Sequence, residues 1–364
     1  MIPHSRPTLG VEEKLALEAV LASGQIAQGK KVAEFEKRFC EFTGRRFAVA
    51  VSSGTSALHL SLAALGAGPG DEIILPSFTC TALLHAIDAV GAKPVLVDID
   101  PEDFNLSVTG VRKKIRRKTK AILVPHAFGR AARMEELLDF KIPVVEDGTQ
   151  ALGAKVGDPK VGSFGAVSLF SFYATKMITT GEGGIVLTDF PRVAERILDF
   201  RDYDKKEVHR FRTNSKMTDL EAAMGIEQLK KISNFVERRR QIARLYREIL
   251  SETGMILPTE DSNRDHVYFR YVVRIPRKAK DEFRRLEESG VEVKKPVYKP
   301  LHQYLGLSDT SFPHTARAMR ESCSLPIYPS LRDEEWKQIH ESIFKIKDFQ
   351  HRKGELTRIA VSPL

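Results

Sequence analysis

Three short segments of this sequence carry residue types and spacings that could do chemistry. Lys176 stands in SFYATKMITTGEGG (171–184), after an aromatic and β-branched run, GAVSLFSF (165–172), and before a second strand-like run, IVLTD (185–189). A lysine held between two strands loses hydration, which favours the neutral amine, a nucleophile toward carbonyl carbon. VSSGTSALHLSLAAL (51–65) is a strand end, a turn of small hydroxyl residues, and a helical pattern at Leu58, Leu62 and Leu65. Such a helix start offers free N–H groups, hydroxyls and the positive end of the helix dipole, which suits a phosphate. IPVVEDGTQALGA (142–154) is an apolar strand ending in Glu146-Asp147, and a carboxylate there lies on the ligand-binding edge of an α/β sheet. Each segment alone has a plainer reading: a solvated loop lysine, an ordinary N-cap, and a carboxylate capping the next helix.

The elements that must position these groups alternate along the chain. FAVAVSS (47–53), DEIILPS (71–77), KPVLVDI (93–99), AILVPHA (121–127) and IPVVED (142–147) read as strands, with helical patterns such as SALHLSLAAL and TALLHAIDAVG between most of them. That alternation predicts an α/β fold with a mostly parallel central sheet and helices on both faces. Residues 217–253 form one helical stretch, opened by Thr218 as N-cap with Glu221 three residues on. After Gly254, YFRYVVRI (268–275), a helix at 279–289 and GVEVKKPVY (290–298) predict a smaller α+β domain. The expected division is a large domain over 1–250 and a small C-terminal domain over 251–364.

Composition narrows the function. A chain of 364 residues exceeds one simple core, and 42% hydrophobic with 29% charged residues is the balance of a soluble protein. No apolar run reaches the roughly 18 residues of a membrane span. The start, MIPHSRPTLG, lacks the apolar core of a signal peptide, so a cytoplasmic location is expected. Cys40, Cys80 and Cys323 give neither a disulfide framework nor a zinc pattern, and the ten histidines show no metal-binding spacing. The net charge of +9 has its densest cluster in RKKIRRKTK (112–120), read as the solvated face of a helix with Val111 and Ile115 turned inward. No nucleic-acid-binding signature accompanies it. A basic surface also attracts anionic small molecules such as nucleotide diphosphates.

A phosphate cradle, a strand-end aspartate and a later lysine, in that order, are the parts pyridoxal phosphate (PLP) needs. With these motifs the chain resembles the DegT-type sugar aminotransferases, fold-type-I PLP enzymes. The likeness also runs through LGVEEKLALEAVLASGQIAQGKKVAEFEKRFCEFTG (9–44), GPGDEIILPSFT (68–79) and FPHTARAMRESCSLPIYPSL (312–331). The resemblance implies that Lys176 carries the Schiff base and moves the proton, that Asp147 pairs with the pyridine nitrogen, and that Gln150 contacts the ring hydroxyl. It implies Gly54, Thr55 and Ser171 as phosphate ligands. Asn214, in TNSKMTDLEAAMG (213–225), matches a residue that reaches the phosphate of the neighbouring subunit, which implies a homodimer with shared sites. One position departs from the pattern: Cys80, in PSFTCT, occupies the place of an aromatic residue that stacks on the cofactor ring. Phe78 is two residues earlier, on the same side of an extended strand.

The reaction so implied moves an amino group from an amino acid (by the resemblance, glutamate) to a keto sugar attached to a nucleotide, in amino sugar and cell-surface polysaccharide biosynthesis. The alternatives are a PLP-dependent sugar dehydratase or deoxygenase and a non-catalytic regulatory protein that binds PLP or a sugar nucleotide. Relatives that dehydrate carry histidine in place of the lysine, and a regulator has no need of both Lys176 and Asp147. The identity of the sugar, its nucleotide and the carbon aminated is not written in these motifs.

Overall fold

The computed structural model describes residues 1–251, 253–275 and 280–344. Its main sheet has seven strands: β1 (Phe47–Val51), β2 (Glu72–Pro76), β3 (Lys93–Val97), β4 (Thr119–Pro125), β5 (Val144–Asp147), β6 (Val167–Ser171) and β7 (Gly184–Thr188), in the order β1-β7-β6-β5-β4-β2-β3. Strands β2 to β6 pair in parallel, and β7 runs antiparallel to both β1 and β6. The parallel strands are continuous apolar runs because helices cover both of their faces. On one side the helices Gly54–Ala64 and Pro191–Arg201 seal a core of Leu58, Leu62, Leu169, Val186 and Ile197. On the other, the helices Lys30–Thr43 and Asp219–Lys230 bring Phe35, Phe39 and Ile226 against Phe170 and Phe172.

Two features of this sheet hold the lysine loop. Ser171 at the end of β6 pairs with Gly184 at the start of β7, so the connection 172–183 leaves and re-enters the sheet at one point. Phe172 N–H donates to Gly183 O at 2.9 Å, and the Phe172 ring, fully buried, meets Phe35 edge-on at 5.2 Å. Removing that ring would cost about 3–5 kcal/mol and release the base of the loop.

The helical stretch at 217–253 is broken, contrary to expectation, into Asp219–Lys230 and Ile232–Leu250. At the break Lys231 N–H donates to Gln228 O, a tighter turn than the α-helical one, while Lys231 Nζ pairs with Glu12 at 2.9 Å and Glu13 at 2.8 Å. The start is as expected: Thr218 Oγ1 accepts from Glu221 N at 3.2 Å, and Thr218 N donates to Glu221 Oε2 at 2.8 Å. The basic cluster is also shorter as a helix than predicted, because Val108–Lys114 ends before Ile115. Val111 is buried beneath it and Ile115 packs at its edge.

A second, two-stranded antiparallel sheet pairs β8 (Tyr271–Arg274) with β9 (Ser322–Leu325). Around it Tyr246, Tyr271, Trp336 and Ile339 form a separate core, with the Tyr246 and Tyr271 rings stacked at 4.8 Å. The helix expected at 279–289 spans Lys280–Glu288. GVEVKKPVY forms only single bridges, Val291 to Ile2 and Lys294 to Ser324. Residues 345–364 of the expected small domain lie outside the described residues.

Candidate active site

Lys176 faces a cavity of about 270 Å³ that it lines together with Cys80, Phe128, Gln150, Arg270 and Lys299. Its backbone is fixed by a bond from Lys176 N to Tyr173 O at 2.9 Å, and Nζ lies 5.5 Å from the centre of the Phe269 ring. Burial pushes the amine below its ordinary 10.5; Cys80 and Asp147 oppose that shift and the Arg270 charge adds to it. The neutral amine expected from the sequence is therefore favoured by the site that the fold builds.

Asp147 ends β5 between Pro125 of β4 and Leu169 of β6, which places it at the carboxyl edge of the parallel strands. It is 7% exposed, and its Oδ1 accepts from Thr149 N at 3.0 Å. No second donor reaches this carboxylate among the described residues. Gln150 follows in the same turn. Its Oε1 accepts from Phe128 N at 2.9 Å, which fixes the orientation of the amide and leaves Nε2 as a donor on the cavity wall. That bond also holds Phe128 at φ 55°, a conformation few aromatic residues adopt.

Beside Asp147, Glu146 points the other way into a closed set of donors. It accepts from His126 Nε2 at 3.1 Å, Gly162 N at 2.8 Å, Phe164 N at 3.0 Å and Ser168 Oγ at 2.7 Å. His126 Nδ1 in turn accepts from Ala132 N at 2.9 Å, so Nε2 carries the proton that faces Glu146. Full burial pushes the Glu146 carboxyl up, yet His126 and the other donors outweigh it and hold it at about 2. Arg45 closes the group, bonding Ser168 Oγ at 2.9 Å and Asp189 at 2.6 Å. Sequence reasoning passed over His126, Ser168 and Arg45, which no local motif connects to Glu146.

The Ser-Ser-Gly-Thr-Ser turn opens the helix Gly54–Ala64, with Ser53 Oγ accepting from Ser56 N at 3.1 Å. Gly54 lies against the end of β6 so closely that a Cβ there would stand 2.5 Å from Ser171 Cβ and 2.9 Å from its Oγ. The fold thereby brings the Ser171 hydroxyl to the helix N-terminus, where the Gly54 and Thr55 amides have no backbone acceptor among the described residues. Of the predicted site residues, Lys176 and Gln150 line the cavity, and Gly54, Thr55, Asp147, Ser171 and Asn214 are not among its lining residues. The Asn214 side chain is exposed and makes no hydrogen bond among the described residues, while its backbone neighbour Ser215 O accepts from Ser52 N at 2.9 Å.

Phe78 and Cys80 both line the cavity, but not from an extended strand as expected. Strand β2 stops at Pro76, so both residues lie in a loop rather than on one side of a strand. Phe78 is buried in an aromatic cluster with Phe104 and Phe128, at 5.9 Å from each ring centre. Cys80 is open to the cavity although protein surrounds it closely, and that enclosure pushes its thiol above the ordinary range.

This donor set fits PLP: a lysine amine for an aldehyde, a carboxylate with a free oxygen for a ring nitrogen, an amide donor, and free amides with a hydroxyl for a phosphate. The far wall is held by a segment from beyond β8. Leu301 N donates to Ser77 O at 2.8 Å, and His302 Nδ1 and Ser77 Oγ are 2.6 Å apart, so Tyr298 and Lys299 are fixed beside the end of β2. These two residues also line a second groove, of about 790 Å³, which carries Lys295 and Arg320.

Comparison with known proteins gives a consistent picture. The model of the DegT/DnrJ/EryC1/StrS aminotransferase family matches residues 7–344. The GDP-perosamine synthase of Vibrio cholerae is 34% identical over 93% of this chain and 97% of its own. Among solved structures, the aminotransferase TlmJ from Streptoalloteichus hindustanus is 32% identical, with a TM-score of 0.89 over 96% of this chain and 99% of its own. The PLP form of Spr1654 from Streptococcus pneumoniae is 26% identical, with a TM-score of 0.89 over 96% of this chain and 99% of its own.

Proposed function

The chain belongs to the DegT/DnrJ/EryC1/StrS aminotransferase family, and from that premise we propose that it transfers an amino group from glutamate to a keto sugar carried on a nucleotide, with PLP as cofactor. The observation that carries this reading is the wall shared by the two cavities. Tyr298 and Lys299 line both the Lys176 cavity and a groove in which Arg284, Lys294, Lys295 and Arg320 outnumber the acidic Glu287 and Asp309. Lys294 pairs with Glu292 at 2.9 Å, whereas Lys295 and Arg320 have no ion-pair partner among the described residues. A groove of that charge suits a diphosphate. The name of the Vibrio cholerae relative supports a nucleotide-linked sugar.

In this reading Gly54, Thr55 and Ser171 hold the cofactor phosphate, Asp147 faces the ring nitrogen as a carboxylate, and Gln150 offers Nε2 to the ring hydroxyl. When bound, PLP supplies an electron sink next to the nitrogen being moved. Lys176 would hold the cofactor aldehyde and would serve as the base that moves the proton at the substrate carbon. Asn214, exposed and without a hydrogen bond among the described residues, serves the phosphate of the partner subunit in a homodimer. Among the described residues no helix is long and apolar enough to cross a membrane. A cytoplasmic enzyme making amino sugars for surface polysaccharide completes the proposal.

The test is a panel of GDP-, UDP- and dTDP-linked keto sugars incubated with L-glutamate. The expected result is release of 2-oxoglutarate together with an aminated sugar nucleotide from one or a few members. Absence of both products across the panel, with cofactor bound, overturns the sugar-nucleotide reading.

A further inference from the structure

Among the described residues Arg270 has no counter-ion, and it lines the same cavity as Lys176. It directly precedes β8, and its backbone N–H donates to Phe128 O at 3.2 Å, which ties the main chain to the wall of the cavity. Nearby arginines are paired: Arg264 with Asp103 at 2.6 Å, Arg130 with Asp261 at 3.3 Å and Arg247 with Glu260 at 3.1 Å. The Arg270 guanidinium has no ion pair and no side-chain hydrogen bond among the described residues; its one ring contact is with Phe269, at 5.7 Å. The described lining of the cavity contains Lys176, Arg270 and Lys299 and no acidic residue. Surrounding protein disfavours the charged form of Arg270, and its positive charge in turn acts on Lys176. A partly buried guanidinium left without a partner is costly, and an anion entering the cavity relieves that cost.

We propose that Arg270 binds the α-carboxylate of the amino-acid donor, an inference that rests on the aminotransferase reading above. Both substrates are anionic, but their charges lie at different distances from the reacting atom. The donor carboxylate is bonded to the very carbon whose nitrogen is transferred, so it must sit close to Lys176. The sugar diphosphate is separated from the keto carbon by ring atoms and extends toward Lys299, which lines both the cavity and the basic groove. Arg270 is the cation whose charge is felt at Lys176, and the guanidinium fork matches a carboxylate in two parallel hydrogen bonds.

Two measurements on the holoenzyme test this. In the first, L-glutamate alone is mixed with the protein and the visible absorbance of the cofactor is followed. In the second, binding of glutarate, an unreactive dicarboxylate, is measured by calorimetry. In Arg270→Gln the glutamate concentration for half-saturation should rise on the order of tenfold to a hundredfold, with the saturating rate changed far less. Glutarate binding should weaken in parallel, Arg270→Lys should recover part of the loss, and the KM for the keto sugar should hardly move. Unchanged glutamate and glutarate binding in a variant that keeps its cofactor overturns the assignment. So does a rise confined to the sugar KM, which would place Arg270 on the diphosphate. If the wild-type cofactor does not respond to glutamate, the aminotransferase reading of the donor fails, and the glutarate arm still decides whether Arg270 is a carboxylate site.

Discussion

Glu146 and Asp147 are neighbours on β5 that face opposite ways, and their surroundings give them opposite uses. Alternation along a strand sends one carboxylate into the closed cage of His126, Ser168 and backbone amides and the other to the open edge of the sheet. Glu146 has every lone pair engaged and is fully buried. Asp147 Oδ1 accepts from Thr149 N in its own turn, and its other carboxylate oxygen has no donor among the described residues. A pair of acidic residues at a strand end thus contains one structural anchor and one group available to a ligand.

The anchor makes the fold acid-sensitive. The Glu146 carboxyl falls from the ordinary 4.5 to about 2 on folding, so it stabilises the native state above the unfolded value and loses that contribution as pH falls toward 2. The difference corresponds to about 3 kcal/mol. Glu146→Gln should lower the melting temperature at pH 7, and its deficit relative to wild type should shrink between about pH 5 and pH 2. A deficit that stays constant over that range would show that the charge of Glu146 is not what stabilises the cage.

Lys176 should give the purified protein its colour. Wild type is expected to be yellow, and borohydride should attach the cofactor irreversibly to the peptide that contains Lys176. Lys176→Ala should lose the attachment site and the transamination. A Lys176→Ala protein that still moves nitrogen between glutamate and a keto sugar would remove the lysine from the reaction.

Asp147→Asn isolates charge from shape. Asparagine can still accept from Thr149 N, so the turn should persist. The lost charge-assisted bond is worth about 1.5–3 kcal/mol, and a ring nitrogen without its anionic partner withdraws electrons less well. Turnover should therefore fall more than about a hundredfold while cofactor still binds. Near-normal turnover would mean that another group faces the ring nitrogen.

These sites were legible to different degrees, for physical reasons. The strands and the lysine loop could be read because buried parallel strands are written as short apolar runs and because Thr218 and Glu221 cap locally. The break at Lys231 was not legible, since the residues that pair with its side chain there, Glu12 and Glu13, are distant in sequence. Strand β9 is four residues, SCSL, and becomes a strand only by pairing with β8. Phe78 was placed beside Cys80 by assuming an extended chain; the backbone after Pro76 is instead a loop, which still brings both residues to the cavity and packs the Phe78 ring against Phe104 and Phe128. Arg270 and Lys299 reach the cavity through tertiary structure, and no local pattern distinguishes them from surface cations.

Gly54 tests the phosphate cradle by volume. A methyl group added there meets Ser171 Cβ at 2.5 Å, a backbone-anchored atom that cannot swing away. Gly54→Ala should displace the helix start from β6, and because small displacements of binding groups carry large penalties, cofactor affinity should fall by about tenfold or more. Ser171→Ala, which removes only one hydroxyl, should do less. Full cofactor affinity in Gly54→Ala, measured by equilibrium dialysis, would show that the phosphate does not sit at this contact.

Asn214 decides whether the site is shared. Its side chain is exposed and makes no hydrogen bond among the described residues, whereas the bond from Ser52 N to Ser215 O fixes the backbone beside it. In an isologous dimer the same residue of each chain can complete the other chain's pocket. Lys176→Ala and Asn214→Ala chains should each be impaired alone, and mixing them with subunit exchange separates the two possibilities. If the site is shared, a mixed dimer has one site carrying both defects and one site that is wild type at both positions. Random exchange then restores about a quarter of all sites, and activity should rise to match. If Asn214 acts within its own chain, both sites of the mixed dimer remain defective, and no activity returns despite proven exchange.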